Sequence, residues 1–320
     1  MGSTIILGAS GFIGTRLVHR LAESGRQIHA LDLAPPRERA LGVHYRTVDV
    51  RRPIQWEHTE AVEAIFNLAA IHRTPGHDWD EYYETNVLGA LNAVELAQAC
   101  GCRTMVFTSS IAVYGPSDEA ITEVSPITPA SNYGLSKHIA EGVHRGWLEK
   151  AGDRRLVIVR PGVVFGPGEG GNYTRLAKAL RRGVFAYPGR KTTIKSGGHV
   201  DELLSAIEFA LGRDEREITF NYAYPDETTM EDVVEAFASV AGFPSQYPVL
   251  PVNLMMAAAR VCEASSVLGF PSPIHPQRVM KLVESTRITP AWLQANGYAF
   301  SSDLRGGLAS WRDETNGGFC

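Results

Sequence analysis

Residues 4–14 read Thr-Ile-Ile-Leu-Gly-Ala-Ser-Gly-Phe-Ile-Gly, and this stretch decides the fold of the chain. Its first four residues are apolar or β-branched, as in a buried strand, and a helical pattern of apolar residues follows at 17–21. Glycines between a strand and a helix let the backbone turn tightly and approach a pyrophosphate at the helix N-terminus. The stretch therefore predicts a dinucleotide-binding turn; a glycine-rich loop without a ligand is the alternative. The candidate contacts are Gly8, Gly11, Phe12, Ile13 and Gly14.

A carboxylate ends the next predicted strand. Asp32 stands eighteen residues after Gly14, at the end of the strand 28–32. An acid at this position can bind both hydroxyls of a ribose and repels a 2′-phosphate, which favours NAD over NADP. Arg37 and Arg39 follow closely and could accept that phosphate, so the residues by themselves leave both cofactors open.

Four further strand-then-helix alternations follow the first one. This order predicts an α/β fold, a doubly wound parallel sheet of the Rossmann type. Asp49 and Val50 end the third strand and could meet an adenine, although a solvated loop aspartate is equally consistent with the pattern. The fourth strand runs through 64–70 into small residues, which leave room for a cofactor beside Leu68, Ala69 and Ala70.

The chemistry-bearing residues follow the fifth strand. Ser109 and Ser110 end that strand, and Tyr133 and Lys137 lie four apart, on one face of a predicted helix. An ammonium near a phenol stabilises the phenolate and lowers the tyrosine pKa from its usual value of about 10. With a Ser110 hydroxyl bound to the reacting oxygen, the set could move a proton at a carbinol while a hydride is transferred. A packing tyrosine and a surface lysine are the alternative.

The composition excludes several classes of protein. The 320 residues are 44% hydrophobic with a formal charge of -4 and no block of Lys or Arg, so a nucleic-acid partner is not expected. The four cysteines are irregularly spaced, and neither His72, His77 and Asp78 nor His199 and Asp201 form a ligand array, so we expect no metal. Without a basic leader or a long apolar run, we expect a cytoplasmic protein with no membrane partner.

Together these motifs resemble the extended short-chain dehydrogenases/reductases of the NAD-dependent sugar epimerase/dehydratase family. The resemblance covers about two-thirds of the chain, in the order typical of the family. It rests on Gly8, Gly11 and Gly14, Asp32, Asn67-Leu-Ala-Ala70, Asn86, Ser-Ser-x-x-Val-Tyr-Gly at 109–115, Tyr133-x-x-x-Lys137, the segment 159–167 and His199-Val-Asp201.

The resemblance implies roles for these residues. Tyr133 is expected to be the catalytic acid or base, and Lys137 to hold the nicotinamide ribose and depress the tyrosine pKa. Ser110 aligns with the catalytic serine, with Ser109 as a second choice. NAD is the implied cofactor, and Asn86 is an implied contact, although an asparagine that opens a helix could simply cap it. A homodimer formed by the helices that start near Asn86 and Tyr133 is also implied.

The implied substrate is a sugar linked to a nucleoside diphosphate. Asn172 aligns with an asparagine that contacts the diphosphate, and Lys195 with a substrate-binding arginine. Two departures narrow the reaction: Ser110-Ile111-Ala112 lacks the acidic pair of the dehydratases, and Val163 replaces an asparagine of many UDP-sugar epimerases. The resemblance thus implies a nucleotide-sugar 4-epimerase or a 4-keto-sugar oxidoreductase.

Two alternatives remain open at this stage. Arg160-Pro161 is also typical of NAD(P)-dependent reductases of small ketones or aldehydes, such as the hydroxysteroid and flavonol types. A non-catalytic protein that senses NAD ranks last, because such a protein would be expected to have lost Tyr133 or Lys137.

The chain is also expected to divide into two parts. We expect an NAD-binding domain at 1–167, to which 197–222 returns, and a smaller C-terminal substrate-binding lobe at 168–196 and 223–320. Residues 71–84, rich in His, Trp and Tyr, are expected to form a loop over the sugar.

Overall fold

The structure is a computed structural model, and it describes residues 2–57, 60–73, 76–267 and 276–320. Its strands are β1 (Ser3–Leu7), β2 (Ile28–Asp32), β3 (Val43–Thr47), β4 (Val62–Asn67), β5 (Thr104–Thr108), β6 (Ser117–Ile121), β7 (Arg155–Pro161), β8 (Val163–Phe165), β9 (Tyr187–Pro188), β10 (Gly197–His199), β11 (Glu217–Tyr222), β12 (Val249–Leu250) and β13 (Thr286–Ile288).

Helices alternate with these strands. They are α1 (Phe12–Glu23), α2 (Trp79–Tyr82), α3 (Gly89–Ala99), α4 (Asn132–Glu149), α5 (Asn172–Arg181), α6 (Val200–Leu211), α7 (Met230–Ala241), α8 (Val252–Val267), α9 (Pro276–Val283), α10 (Ala291–Ala295) and α11 (Leu304–Glu314). A π-helix, Tyr83–Leu88, joins α2 to α3, and a short 3₁₀ helix, Ile111–Val113, follows β5.

Seven strands form one parallel sheet in the order β11-β7-β5-β4-β1-β2-β3. The predicted doubly wound parallel sheet is therefore confirmed. The chain runs outward from β1 to β3 and then crosses back to place β4 on the other side of β1. This reversal opens a crevice at the carboxyl ends of β1 and β4, where ligands of such sheets bind. Gly8 and Ala69 meet there, since a Cβ on Gly8 would lie only 2.6 Å from the Ala69 nitrogen.

The sheet is covered on both faces, as a parallel sheet requires. Every residue of β1 is buried. Leu17 and Val18 of α1 pack with Leu203 of α6 on one face. Ala93 of α3 and Trp147 of α4 pack on the other. The helices that carry the chemistry-bearing residues are thus fixed to the sheet by apolar packing.

A second, smaller core lies towards the C-terminus. It is rich in aromatic rings contributed by α5, α7, α11 and the segments around them, including Phe165, Tyr173, Phe237, Trp311 and Phe319. Short two-stranded parallel ladders, β8 with β10, β9 with β12 and β6 with β13, connect its segments. The predicted smaller C-terminal lobe is present.

The two cores are joined by ion pairs on Arg16. Its guanidinium, on α1, makes bidentate contacts with Asp201 on α6, at 2.6 and 2.7 Å, and with Glu314 on α11, at 2.8 and 2.9 Å. These hydrogen bonds hold the pKa of Arg16 above its usual value, with Asp201 as the largest cause. One side chain therefore ties the glycine-turn helix to the last helix of the chain.

Among the residues that the structure describes, no helix is long and apolar enough to cross a bilayer. In the same part of the chain, no three His, Cys, Asp or Glu side chains are grouped as metal ligands would be.

The segment predicted to be a loop over the sugar is partly helical. Helix α2 begins at Trp79, where Asp78 and Glu81 form a capping box, so Asn86 does not open a helix as predicted. Asn86 instead lies inside the π-helix. Side-chain hydrogen bonds from Asn86 to distant groups, described below, account for this position.

Candidate active site

The serine turn and the start of α4 are packed directly against each other. The Ser110 oxygen caps the 3₁₀ helix by accepting from the Ala112 amide at 3.1 Å, and Ser131 caps α4 by accepting from the Gly134 amide at 3.1 Å. A Cβ on Gly134 would overlap the backbone of Ala112, so only glycine allows this approach. The close packing brings the Ser110 hydroxyl near enough to the Tyr133 hydroxyl to act on the pKa of that tyrosine.

Lys137 lies one helical turn beyond Tyr133 and is buried, with 1% of its surface exposed. Its ammonium lies over the Phe107 ring, 4.4 Å from the centroid, and makes no hydrogen bond with the described residues. Burial lowers the pKa of Lys137 to about 7, and the nearby Glu141 carboxylate offsets part of that effect. A buried cation with free donors fits a site for hydroxyl groups of a ligand.

The tyrosine pKa differs from the sequence-based expectation. Burial raises the pKa of Tyr133 to about 12, while the Ser110 hydroxyl works in the opposite direction. The sequence-based expectation that Lys137 lowers the pKa of Tyr133 is therefore not met. The physical reason is that desolvation of the phenolate outweighs the effect of the neighbouring hydroxyl, and the ammonium lies against Phe107.

Of the two serines, Ser110 faces the tyrosine. The Ser109 hydroxyl is buried and donates to the Glu141 carboxylate at 2.6 Å. That carboxylate also receives two hydrogen bonds from Arg160, at 2.8 and 2.6 Å. Burial alone would raise the pKa of Glu141, but the hydrogen bonds and charge of Arg160, with Ser109, outweigh it and hold the pKa below its usual value. Ser109 thus belongs to a buried ion-pair network under the helix.

Sequence reasoning missed two residues of this site. Glu141 lies four residues after Lys137 on the buried face of α4. The sequence signal for it is a charged residue at a position where the helical spacing predicts an apolar one. Tyr82 lies within 71–84, and its ring centroid is 6.3 Å from that of Tyr133. No local pattern distinguishes Tyr82 from its neighbour Tyr83.

The glycine turn fits the pyrophosphate of a dinucleotide. Gly14 packs so tightly that a Cβ would overlap the Gly8 carbonyl oxygen, whereas a Cβ on Gly11 would meet only that oxygen, at 3.2 Å. Gly11 also leaves α1 without a side-chain cap, and the Phe12 and Ile13 amides have no acceptor among the described residues. Gly8 and Gly14 therefore shape the turn, and Gly11 leaves it open to an anion.

Asp32 is held in place at the end of β2. Its carboxylate accepts from the backbone amides of Ser10 and Ala34, each at 2.9 Å. Since a carboxylate has about four lone-pair sites, it can still accept from two ribose hydroxyls. Arg37, which sequence reasoning left open as a phosphate ligand, donates instead to the Gly168 carbonyl at 2.6 Å. Arg39 lies over the Tyr45 ring, 5.3 Å from its centroid.

The other proposed cofactor contacts lie along the same edge of the sheet. Leu68, Ala69 and Ala70 are half-buried directly after β4. Asp49 is paired with Arg51 at 2.8 Å, and that hydrogen bond holds the pKa of Asp49 below its usual value. Val50 is buried against α3, where its carbonyl accepts from the Asn92 side chain at 2.7 Å.

Asn86 is fully engaged with the protein. Its oxygen accepts from the Ile71 amide at 2.9 Å, and its nitrogen donates to the Ile71 carbonyl at 3.0 Å and to Ser136 at 2.8 Å. The Ser136 hydroxyl donates in turn to the Tyr133 carbonyl at 2.8 Å. Asn86 therefore connects the segment after β4 to the helix that carries Tyr133, and its role as a cofactor contact stays a prediction.

The two residues predicted to bind the substrate are engaged with different parts of the protein. Asn172 is exposed at the start of α5 and accepts from Arg175 at 2.9 Å. The Lys195 ammonium donates to the carbonyls of Lys281 and Glu284 at the end of α9, and burial lowers its pKa to about 8. The Glu169 carboxylate, which sequence reasoning missed, accepts from the Thr174 amide at 3.0 Å and so occupies the N-terminus of α5.

A parallel sheet with a glycine turn at its switch point defines a Rossmann-type class of dinucleotide-binding protein. The sequence profile of the NAD dependent epimerase/dehydratase family matches residues 4–223. The chain therefore belongs to the NAD-dependent epimerase/dehydratase family. The predicted family, the enzymatic class and NAD as the cofactor are confirmed.

Three similar proteins extend over nearly the whole chain. An Escherichia coli O157:H7 enzyme, the N-acetyl-alpha-D-glucosaminyl-diphospho-ditrans,octacis-undecaprenol 4-epimerase, is 30% identical over 316 residues, 96% of this chain and 93% of that protein. UDP-glucose 4-epimerase 2 of Arabidopsis thaliana is 24% identical over 95% of this chain and 98% of its own. The structure of Thermus thermophilus UDP-glucose 4-epimerase in complex with NAD has a TM-score of 0.75 at 22% identity, covering 98% and 99% of the two chains.

Proposed function

We propose that the protein is an NAD-dependent 4-epimerase of a sugar that is carried on a diphosphate. The observation that carries the proposal is that Tyr133 and the buried ammonium of Lys137 lie one turn apart on α4, with the start of that helix packed directly against the turn that carries Ser110. The nucleotide-linked sugar predicted from the sequence is one such substrate, and the Arabidopsis relative is named for a UDP-sugar. The Escherichia coli relative, named for a polyprenyl diphosphate sugar, favours a second carrier.

The cofactor site in this proposal lies along the carboxyl edge of the sheet. The Phe12 and Ile13 amides, exposed by Gly11, bind the pyrophosphate, and Asp32 accepts from the adenosine ribose. Asp49, Val50 and Leu68 to Ala70 lie around the adenine and the chain of the cofactor, and Lys137 donates to the nicotinamide ribose. When bound, NAD supplies the acceptor and later the donor of a hydride.

The protein's own residues handle the proton. Tyr133 removes the proton of the C4 hydroxyl and returns it after the sugar presents its other face, while Ser110 donates to the same oxygen. Because burial raises the pKa of Tyr133 to about 12, the phenolate needs a positive neighbour, and Lys137 is the nearest candidate on the helix. Asn172 and Lys195 are the proposed contacts of the diphosphate.

The reduction of a free ketone is less well supported. That alternative rested on Arg160-Pro161, and the Arg160 guanidinium is buried against Glu141 and Tyr114. Arg160 therefore has a structural reason to be present that is unrelated to the substrate.

Two further assignments belong to this proposal. Residues 1–167 with 197–222 hold NAD, and residues 168–196 with 223–320 hold the substrate. The protein is a cytoplasmic homodimer that pairs through α3 and α4.

The test is incubation with NAD and sugars on uridine, guanosine, thymidine and cytidine diphosphates and on polyprenyl diphosphates, followed by NMR and NADH absorbance. A new sugar diastereomer without net NADH is expected. Tyr133→Phe should reduce turnover by about 10²–10⁴-fold, as the loss of a proton-transfer group does, and leave NAD binding intact. Tyr45→Phe, at a tyrosine on the edge strand β3, is the control. Net NADH would make the protein a dehydrogenase, and full activity of Tyr133→Phe would refute the catalytic assignment.

A further inference from the structure

The serine turn, residues 109–114, leaves the sheet at the end of β5 and carries Ser110 between two buried side chains. These are Ser109 and Tyr114, at the two ends of the turn, and each of them is 2% exposed. A buried hydroxyl requires a hydrogen-bond partner inside the protein. The partners of both hydroxyls belong to one ion pair.

That ion pair joins Glu141 on α4 to Arg160 on β7. Two hydrogen bonds, at 2.8 and 2.6 Å, connect the guanidinium to the carboxylate, and both residues are buried. The Ser109 hydroxyl donates to Glu141 at 2.6 Å, and Arg160 donates to the Tyr114 hydroxyl at 2.6 Å. One ion pair therefore holds both ends of the turn that carries Ser110.

The Glu141 carboxylate has no acceptor site left for a ligand. Its Oε1 accepts from Ser109 and from Arg160, and its Oε2 accepts from Arg160 and, at 3.1 Å, from Arg145. A carboxylate offers about four lone-pair sites, and all of them are used here. Glu141 therefore acts within the protein, through the groups that it binds.

Helix α4 contacts the serine turn at two places. Near its start, Gly134 packs on the backbone of Ala112. Further along, Glu141 accepts from Ser109, and it lies two helical turns after Tyr133, on the same buried side of the helix. The helix that carries the phenol thus also carries the carboxylate that holds the end of the turn.

Tyr114 extends the same network to a later part of the chain. Its hydroxyl donates to Asn221 Oδ1 at 2.9 Å, and the Asn221 side chain donates to the Thr289 carbonyl at 3.3 Å. Because desolvation offsets most of the attraction in a buried ion pair, such a pair is weak evidence for stability. Two parallel hydrogen bonds nevertheless fix the orientation of both side chains. The network is therefore suited to setting a geometry.

From this geometry we infer that Glu141 and Arg160 are positioning residues, whose ion pair holds both ends of the serine turn against α4. The pair thereby sets the place of Ser110 relative to Tyr133. This inference rests on the proposed function, from which it takes the role of Ser110, and it deepens that function by naming the residues that orient the site. The ion pair itself does not touch the substrate.

The test releases each end of the turn without disturbing the ion pair. Replacing Glu141 or Arg160 alone would leave a buried charge unpaired, so the variants are Ser109→Ala and Tyr114→Phe, which each remove one hydroxyl. Each should lower kcat about 10–100-fold, since a small displacement of a reacting group has effects of that size. The KM for the sugar and the Kd of NAD should stay unchanged, because both hydroxyls are buried and bonded within the protein.

Thr219→Val is the matched control. It removes a hydrogen bond of the same network, the one that Arg145 donates to Thr219 at 3.1 Å, but it removes none that involves the serine turn. This variant should keep the wild-type kcat. Urea unfolding of all three variants establishes that they fold, and if Tyr114→Phe does not fold, Ser109→Ala is compared with the control.

Hydrogen–deuterium exchange of the segment 109–115 measures the same hydrogen bonds without a substrate. The amides of this segment should exchange faster in Ser109→Ala and in Tyr114→Phe than in the wild type. They should exchange at the wild-type rate in Thr219→Val. Faster exchange over the whole chain in every variant would instead indicate a general loss of stability and would count against the inference.

The outcomes separate this inference from the proposed function. Wild-type kcat in Ser109→Ala and Tyr114→Phe would overturn it, as would an equal loss in Thr219→Val. If Ser109→Ala lost as much activity as Tyr133→Phe while Tyr114→Phe kept all of it, Ser109 would be the catalytic serine and the inference would be wrong. If the wild type epimerises no sugar, the proposed function fails, and the exchange of 109–115 then decides whether the ion pair holds the turn.

Discussion

At the scale of single residues, the site is governed by burial of ionisable groups. Lys137 lies in an apolar setting against Phe107, and its pKa is lowered to about 7, while that of Tyr133 is raised to about 12. Both shifts have burial as their largest cause and both disfavour the charged form. A phenolate and an ammonium that form together would stabilise each other, so the two residues are expected to act as a pair.

Lys137 should make the stability of the NAD-free protein depend on pH. Its pKa falls from 10.5 to about 7 on folding, so between these values the unfolded chain binds more protons and the free energy of unfolding rises with pH. Lys137→Met should flatten this rise and abolish turnover. Urea unfolding at pH 7, 8 and 9 measures the slope, with Lys150→Met, an exposed lysine at the end of α4, as the control. An equal slope in Lys137→Met and the wild type would contradict the lowered pKa.

At the scale of elements, glycines decide how closely two segments approach. Gly14 allows α1 to start against β1, and Gly134 allows α4 to start against the serine turn. In both places the side chain of any other residue would meet backbone atoms, which cannot move away as a flexible side chain can. The cofactor turn and the packing of Tyr133 near Ser110 therefore both depend on a glycine where two backbone segments meet.

Gly14 and Gly11 of the first turn should respond differently to substitution by alanine. Gly14→Ala overlaps the Gly8 carbonyl and should cost about 1–3 kcal/mol or more of unfolding free energy. Gly11→Ala should fold and instead weaken NAD binding by at least about tenfold, because its methyl group lies where the pyrophosphate approaches. Urea unfolding and NAD titration separate the two effects.

A helical glycine with free space around it is the matched control. A Cβ on Gly146 in α4 would meet nothing within 4 Å, so Gly146→Ala should stabilise the protein by about 0.5–1 kcal/mol. Normal NAD affinity in Gly11→Ala would exclude a pyrophosphate at this turn.

At the scale of the whole molecule, ion pairs and short ladders join two cores. Arg16 connects α1 to Asp201 and Glu314, and Arg37 connects the segment after β2 to Gly168. The edges of the proposed cofactor and substrate regions are thus linked by side chains more than 100 residues apart in the chain. A substitution that breaks one of these contacts is therefore expected to affect both regions.

The proposed homodimer can be tested at this scale. Leu91, on the outward side of α3, is 40% exposed, and a charge there should oppose pairing through α3 and α4. Light scattering should give twice the chain mass of 34.9 kDa for the wild type and the single mass for Leu91→Glu. Leu41→Glu should remain a dimer. A wild type of single-chain mass would refute the dimer.

The sequence by itself determined the sheet and the family. The apolar runs of β1, β2, β4 and β5 are continuous because both faces of a parallel sheet are buried, so local patterns located the first residue of each strand to within two residues. The glycine turn and the Tyr133–Lys137 spacing are equally local. These features were predictable because each depends on residues close together in the chain.

The tertiary structure alone decided which groups are free to act. Ser109 and Ser110 are neighbours, but Glu141, 32 residues away, engages only Ser109. Lys195 caps α9 through carbonyls 86 and 89 residues away, and Glu169 occupies the start of α5. The pKa of Tyr133 likewise follows from burial by distant segments. Partners so far apart leave no periodic signal in the sequence, because only folding sets the distances and the desolvation that select among similar side chains.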